Sequence, residues 1–317
     1  MSVSNKPKLL IAESEGFSEK AFALLETMFD VDAQDLCRKE LLKNVALYDY
    51  LWVRLRNMID AEVLTVATRL KAVATNTTGL NHLDLDAAAD RGIAVISLRG
   101  EVDFLREIRA TAEHTIGLCL AQLRGIPDAH RHCMNGHWDR NQFRGHEIYQ
   151  STVGIIGYGR LGAITASYFQ ALGANVIVHS AGLSEGDVMD GFPVVTLDQV
   201  FERSDIVSLH VNGAPENHGM IGERQFRIAK PNCLFINTAR GELVDQQALC
   251  HALEAGWIAG AALDVIANEQ EMRGIEPRLL NLSPQQVVMT PHVGGNTYES
   301  LDRTEVFLAE KLIALVR

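Results

Sequence analysis

Three glycines, Gly157, Gly159 and Gly162, are spaced so that a chain can turn sharply out of a strand and bring its backbone against a phosphate. The first permits the tight turn, the second lets backbone approach a pyrophosphate, and the third lets a helix pack closely on the strand. Arg160 and Leu161 open that helix, whose unpaired N–H groups would hold the phosphates. Glycine-rich turns also arise for conformational reasons alone. Here the apolar run Val153-Gly154-Ile155-Ile156 precedes the turn, a helix-like segment from Ala163 to Leu172 follows, and Val176-Ile177-Val178 comes next. That succession reads as a βαβ unit, and the chemistry it indicates is dinucleotide binding.

Such a turn needs a sheet to carry it. Lys8 to Ala12 reads as a buried strand, and Glu19 to Met28 as a helix with Ala21, Leu24, Leu25 and Met28 on one face. The alternation continues through strands at Leu51-Trp52-Val53, Ala72-Val73-Ala74 and Ile93-Ala94-Val95, with helical segments at Ala61 to Leu70 and Asp84 to Asp90. Thr111 to Leu123 reads as a largely apolar helix that could bridge two domains. Beyond the glycines, apolar runs recur at Asp205 to Leu209, Cys233 to Asn237, Gly260 to Asp264 and Val287 to Thr290. Strands alternating with helices predict parallel sheets covered on both faces, an α/β fold. Ligands in such sheets sit at the carboxyl ends of the strands. Polar residues just past those ends are therefore the candidates for chemistry: Asn212, Arg240, Asp264 with Glu269, and His292.

A chain of 317 residues, 47% hydrophobic, has core enough for about two domains. No apolar run reaches the ~20 residues that cross a bilayer, and the leading residues, Met1 to Lys8, lack the apolar core of a signal peptide. A cytoplasmic protein without a membrane partner is expected. Cys37, Cys119, Cys133, Cys233 and Cys250 are scattered with no CxxC pair, so neither a disulfide framework nor a metal site is indicated. A formal net charge of -11 argues against general affinity for nucleic acid or anionic membrane. An anionic substrate would need a local cluster of Arg or Lys.

With those strand ends in view, the sequence resembles the D-isomer-specific 2-hydroxyacid dehydrogenases over nearly its whole length. The resemblance rests on Gly79 to Asp84, Thr111 to Thr115, the glycine turn, Asn237 to Gly241, Leu263-Asp264-Val265 followed by Glu269, and Thr290 to Gly295. It implies two Rossmann-like doubly wound parallel-sheet domains with the active-site cleft between them. Residues 1–102 and 292–317 would form the substrate (catalytic) domain, and 103–291 the dinucleotide-binding domain. Action as a homodimer is expected.

The same resemblance gives the polar residues roles. Reduction of a 2-oxo acid needs an anchor for the carboxylate, a hydride donor and an acid to protonate the carbonyl oxygen. Arg240 matches the family's arginine, whose planar fork can hold carboxylate and carbonyl oxygens together. His292 matches the acid, and Glu269 the carboxylate beside it, which favours an imidazolium. Asp264 matches an aspartate near the nicotinamide carboxamide, or is simply a helix N-cap. Thr115 and Thr238 join the cofactor-binding set. Thr77, Thr78 and Gly79 match the substrate loop, whose backbone N–H groups can hold a carboxylate.

Four departures bear on specificity. Where the second nucleotide strand usually ends in an acid that binds the ribose hydroxyls, Val176-Ile177-Val178-His179 leads to Ser180. No arginine follows to receive a 2′-phosphate, so NAD is expected and NADP stays open. Asn212 and Asn217 replace a proline and a threonine in the segment after the fourth strand. Residues 101–109 lengthen the link between domains, and either reach the cleft or add a turn of solvated helix. In the substrate loop, Thr75 to Thr78 either present hydroxyls to a polar substrate or pack a strand.

The function expected is hydride transfer between a nicotinamide cofactor and a small polar 2-oxo acid or D-2-hydroxy acid. Arg54 and Arg56, past the strand Leu51-Trp52-Val53, would share a face by strand alternation and could bind a second anionic group of the substrate. A nicotinamide-sensing corepressor shares this fold. Oxidation of formate or phosphite is a third reading, disfavoured by Glu269 beside His292 and by the lack of a lysine at Asn76 to Thr78.

Overall fold

The computed structural model describes residues 6–267, 269 and 276–317. Residues 1–5, part of the leading segment read above, lie outside the described residues. Contacts gather the chain into two compact units: one runs to Ile108 and resumes from Asn296 to Arg317, the other spans Arg109–Gly295.

The first unit is built on five parallel strands, β1 (Lys8–Ile11), β2 (Asp30–Ala33), β3 (Tyr50–Val53), β4 (Ala72–Thr75) and β5 (Ala94–Ile96), in the order β2-β1-β3-β4-β5. Side chains alternate between the faces of a strand. Leu10, Leu51, Val53 and Val73 enter one core layer, whereas Leu9, Ile11, Trp52, Ala72 and Ala74 enter the other. The C-terminal helix Tyr298–Val316 covers the second layer with Leu308, Ala309, Leu312 and Ile313. Strand β2, Asp-Val-Asp-Ala, escaped the sequence reading because a short, half-exposed edge strand carries no apolar run.

Residues 101–109 add a turn of helix, with one side of it packed on the core and not solvated. Val102–Leu105 is a short helix, Leu105 is buried, and Phe104 stacks on Phe307 of the C-terminal helix with ring centroids 3.9 Å apart. Lys311 of that helix is bonded to Glu101. This packing carries the first unit to Ile108, past the expected boundary at residue 102.

The second unit has six parallel strands, β6 (Thr152–Ile156), β7 (Asn175–His179), β10 (Ile206–Leu209), β11 (Leu234–Asn237), β12 (Gly260–Leu263) and β13 (Val287–Met289), in the order β13-β12-β11-β10-β6-β7. Between β7 and β10 a two-stranded ribbon, β8 (Val188–Met189) and β9 (Phe192–Pro193), precedes a single parallel bridge from Val194 to Val178. The helix Ala110–Leu123 belongs to this unit, with Leu118 and Cys119 in its core. Among the described residues no helix is long and apolar enough to cross a membrane.

Sheet order also fixes where loops diverge. The chain leaves β6 for β7 on one side, while β10 starts the run to the other edge, so the crevice of this sheet opens between the ends of β6 and β10. In the first unit the corresponding point lies between the ends of β1 and β3.

Candidate active site

The glycine turn occupies the crevice of the second unit, and two of its glycines are required by geometry. Gly157 has φ of +92°, and a Cβ there would lie 2.7–2.8 Å from the backbone of His210 and Val211, just past β10. A Cβ on Gly162 would lie 2.0 Å from the carbonyl oxygen of Gly157, so the helix Arg160–Ala171 can pack this closely only with glycine. Gly159 differs: nothing lies within 4 Å of the Cβ position. It caps the helix without a side-chain bond, leaving open space in front of the helix N-terminus. These residues fit a pyrophosphate, whose charge the helix dipole favours. Burial lowers the Arg160 guanidinium from its usual range, and an anion there would oppose that effect.

Around the turn the other cofactor candidates divide. The Gly157 N–H donates to the carbonyl of His179 at 2.7 Å, which sets Ser180, half-buried, directly beside the turn. Asn217 donates to the side-chain oxygen of Asn212 at 3.0 Å, and Asn212 accepts from the Ala214 N–H at 3.2 Å, so the two amides close their own loop. Thr115 and Thr238 are buried and share a hydroxyl hydrogen bond of 2.8 Å.

Arg240 follows β11 and is held by its neighbours. Asn237 donates to the Arg240 carbonyl at 2.9 Å and accepts from the Ala239 N–H at 3.0 Å, which pins the turn. Gly241 matters more: a Cβ there would lie 1.9–2.3 Å from the backbone of Ile266 and Ala267. Only glycine lets the chain leaving β12 pass against the Arg240 turn, and the Ala267 N–H is then fixed by Gln246 at 3.0 Å. Burial pulls the Arg240 guanidinium down from its usual value, opposed by the negative charges of Glu269 and Glu242. Guanidinium keeps its proton regardless.

Glu269 and His292, 23 positions apart, meet at 2.7 Å between Oε1 and Nδ1. Both side chains are partly exposed, at 29% and 24%. With Nδ1 committed to the carboxylate, Nε2 is the nitrogen left for a substrate.

What aims His292 is Asp264. Its carboxylate accepts from the Thr290 hydroxyl at 2.6 Å and from the Val293 and Gly294 N–H groups at 2.9 and 2.8 Å, while its carbonyl accepts from the His292 N–H at 2.8 Å. His292 itself sits at φ +53°, a left-handed conformation that L-residues adopt only when held. Burial raises the Asp264 carboxyl, but His114, Thr290 and the two amides outweigh it and hold the group below the usual carboxylate range. Asp264 is thus neither a helix cap nor a free side chain. These bonds also keep residues 292–295 with the second unit, past the expected boundary at 291.

His114 contacts Thr290 at 2.9 Å and Asp264 at 3.3 Å. His114, Thr290, Asn237 and Gly241 were visible only as parts of motifs; nothing local in the sequence marks them as supports.

In the first unit the substrate-loop candidates are partly committed. Thr77 donates to the Gly79 carbonyl at 2.7 Å and lies 3.1 Å from the Thr75 hydroxyl, whereas Thr78 is exposed. Arg54 and Arg56 lie beyond the end of β3 at Val53, so strand alternation does not apply to them. Arg54 is bound to Glu305 and to the carbonyls of Glu15 and Gly16, and Arg56 to Asp35. The Arg54 guanidinium is thus largely covered, whereas Arg56, paired with Asp35, is 48% exposed.

Comparison with known proteins places this geometry. Residues 116–294 match the family model for the D-isomer specific 2-hydroxyacid dehydrogenase, NAD binding domain. The chain is 35% identical to the D-3-phosphoglycerate dehydrogenase of Archaeoglobus fulgidus over 313 residues, covering 98% of this chain but 57% of that protein. To the glyoxylate reductase of Thermofilum pendens it is 36% identical over 286 residues, 88% of this chain and 82% of that one. The crystal structure of the TT0316 protein from Thermus thermophilus superposes with a TM-score of 0.84 at 31% identity, covering 98% and 96% of the two chains. The chain thus spans little more than half the length of the phosphoglycerate dehydrogenases it matches. With its fold, its nucleotide turn and the extent of these matches, the chain belongs to the D-isomer specific 2-hydroxyacid dehydrogenase family and carries that family's NAD-binding domain.

Proposed function

We propose that this protein is a nicotinamide-dependent oxidoreductase that reduces a small polar 2-oxo acid to its D-2-hydroxy acid, and runs the reverse oxidation. The observation that carries the proposal is the 2.7 Å contact of His292 Nδ1 with Glu269, on a loop held by Asp264 and next in space to the chain that packs against Arg240. Nicotinamide supplies the hydride when bound. Arg240 clamps the carboxylate and the carbonyl oxygen through two N–H groups of its fork. His292 gives a proton from Nε2 to that oxygen as negative charge develops on it, and Glu269 keeps the imidazole oriented and stabilises its charged form. Backbone around Gly159, Arg160, Leu161 and Gly162 holds the pyrophosphate, with Ser180, Asn212, Asn217, Thr115 and Thr238 around the rest of the dinucleotide. Names of relatives agree in class, since glyoxylate and 3-phosphoglycerate are both partners of 2-oxo or 2-hydroxy acid chemistry.

The test is oxidation of NADH and of NADPH, followed by absorbance, against a panel of 2-oxo acids. Turnover of at least one acid is expected. Dinucleotide binding without turnover of any would instead identify a sensor. A cytoplasmic location and a homodimer belong to the same proposal, and sedimentation of the purified protein at twice the chain's mass is the expected result for the latter.

NAD is the proposed cofactor, and Ser180 makes the preference adjustable. Ser180→Asp is expected to raise the ratio of NADH to NADPH efficiency, because a carboxylate beside Gly157 accepts from a ribose diol and repels a 2′-phosphate. Competing steady-state measurements with the two cofactors check it, and an unchanged ratio would remove Ser180 from the ribose site.

A further inference from the structure

Selection of NAD ordinarily uses a carboxylate at the end of the second nucleotide strand, which accepts from the adenosine ribose hydroxyls. Here β7 ends at His179 and Ser180 follows, yet the edge of that strand carries a second source of charge. The Val195 N–H donates to the Val178 carbonyl at 2.9 Å, and His179 Nδ1 lies 3.0 Å from the Val195 carbonyl. The chain leaving the ribbon β8–β9 is thereby fastened along the end of β7. The ribbon itself turns back through two residues, Asp190 and Gly191, with φ of +50° and +88°. A tight hairpin turn of this kind needs two left-handed residues in succession, and Asp-Gly is a pair that adopts them readily. The backbone thus sets Asp190 at the tip.

That tip is bonded to the glycine turn. Tyr158, between Gly157 and Gly159, donates its hydroxyl to Asp190 Oδ2 at 2.9 Å, and its ring meets Phe192 of β9 edge-on with centroids 6.1 Å apart. Burial, then the hydrogen bond to Asp190 and its negative charge, push the Tyr158 phenol up to about 12, so it stays a donor. Asp190 is exposed, and its other carboxylate oxygen has no partner among the described residues. The segment holds two more acids, but Glu185 accepts from Gln199 at 2.6 Å and Asp187 from the Ser184 N–H at 3.1 Å, and neither is bonded to the turn. No lysine or arginine occurs between Arg160 and Arg203, so this stretch offers no cation to a 2′-phosphate.

We propose that Asp190 supplies the carboxylate that β7 lacks: it accepts from the adenosine ribose hydroxyls beside the glycine turn and disfavours a 2′-phosphate there. This rests on the dinucleotide site and deepens the cofactor choice proposed above. Asp190 is the residue that touches the cofactor, and Tyr158 positions it. A free carboxylate oxygen accepts charge-assisted bonds from a vicinal diol, whereas a phosphate in the same place meets like charge.

The test titrates the whole protein with ADP-ribose and with its 2′-phosphate by calorimetry, on wild type, Asp190→Asn and Asp187→Asn. Neither ligand carries a nicotinamide, so the readout is binding without turnover. Wild type is expected to bind ADP-ribose more tightly. Asparagine keeps an acceptor for Tyr158 and tolerates the left-handed turn, so Asp190→Asn removes the charge and little else. The affinity ratio should then move toward the 2′-phosphate by about tenfold or more. Asp187→Asn removes an equal charge from the same segment and should leave the ratio unchanged. A merely structural role for Asp190 would weaken both ligands together. The proposal is overturned if wild type binds neither ligand or prefers the 2′-phosphate, if Asp190→Asn leaves the ratio unchanged, or if Asp187→Asn moves it equally. Reduction of 2-oxo acids is measured separately on the same proteins. Turnover with an unmoved ratio would sink the role of Asp190 and leave the reaction standing, and a moved ratio without turnover of any acid would do the reverse.

Discussion

His292→Ala is expected to lower carbonyl reduction by about 10²–10⁴-fold, the usual worth of a positioned general acid. Dinucleotide binding should be retained, because the glycine turn, Ser180 and the helix Arg160–Ala171 do not depend on the imidazole. Glu269 loses its partner in this variant, but its side chain is 29% exposed and can be solvated, so the fold should survive. Steady-state rates with a reducible acid, together with fluorescence titration of the reduced cofactor, separate the two effects. Loss of cofactor binding with the remaining rate intact would contradict the assignment. Deleting the Glu269 carboxylate should cost less than deleting His292, since Asp264 still holds the loop through its carbonyl and through the N–H groups of Val293 and Gly294.

Arg240→Lys is the second large effect, even though it preserves charge. A lysine presents a single ammonium where the proposed clamp needs two parallel N–H groups in a plane. Charge-assisted bonds are worth about 1.5–3 kcal/mol each. Losing their bidentate geometry should reduce kcat/KM by about 10²–10⁴-fold, with KM for the acid rising and cofactor affinity unchanged. Because the turn is pinned by Asn237 and Gly241 and not by the guanidinium alone, melting temperature should change little. A variant that kept wild-type efficiency would show that Arg240 does not hold the substrate carboxylate.

Much of this was legible in one dimension, for identifiable reasons. Parallel strands buried on both faces read as continuous apolar runs, so β1, β3, β4 and the strands of the second sheet announce themselves. The glycine turn is legible because no other residue fits at Gly157 and Gly162. Strand ends then name Arg240, Asp264, Glu269 and His292 as candidates by position alone. An edge strand such as β2 lacks that signal, since half of its residues face water.

Tertiary structure decided the partners. Separation along the chain does not pair Glu269 with His292, which only the family resemblance brought together, and nothing local turns Asp264 from a possible helix cap into the anchor of the His292 loop, because those bonds span 23 to 30 positions. The sharpest case is Arg54. Its position after a strand suggested an open cation, and only folding brings Glu305, 251 positions away, onto its guanidinium. Helical and strand periods describe neighbours along one element, whereas a charge is cancelled by whatever group packing delivers to it. Composition and order thus determined the fold, the nucleotide turn and the residues available for chemistry. Packing of the C-terminal helix decided that Arg54 is paired with Glu305.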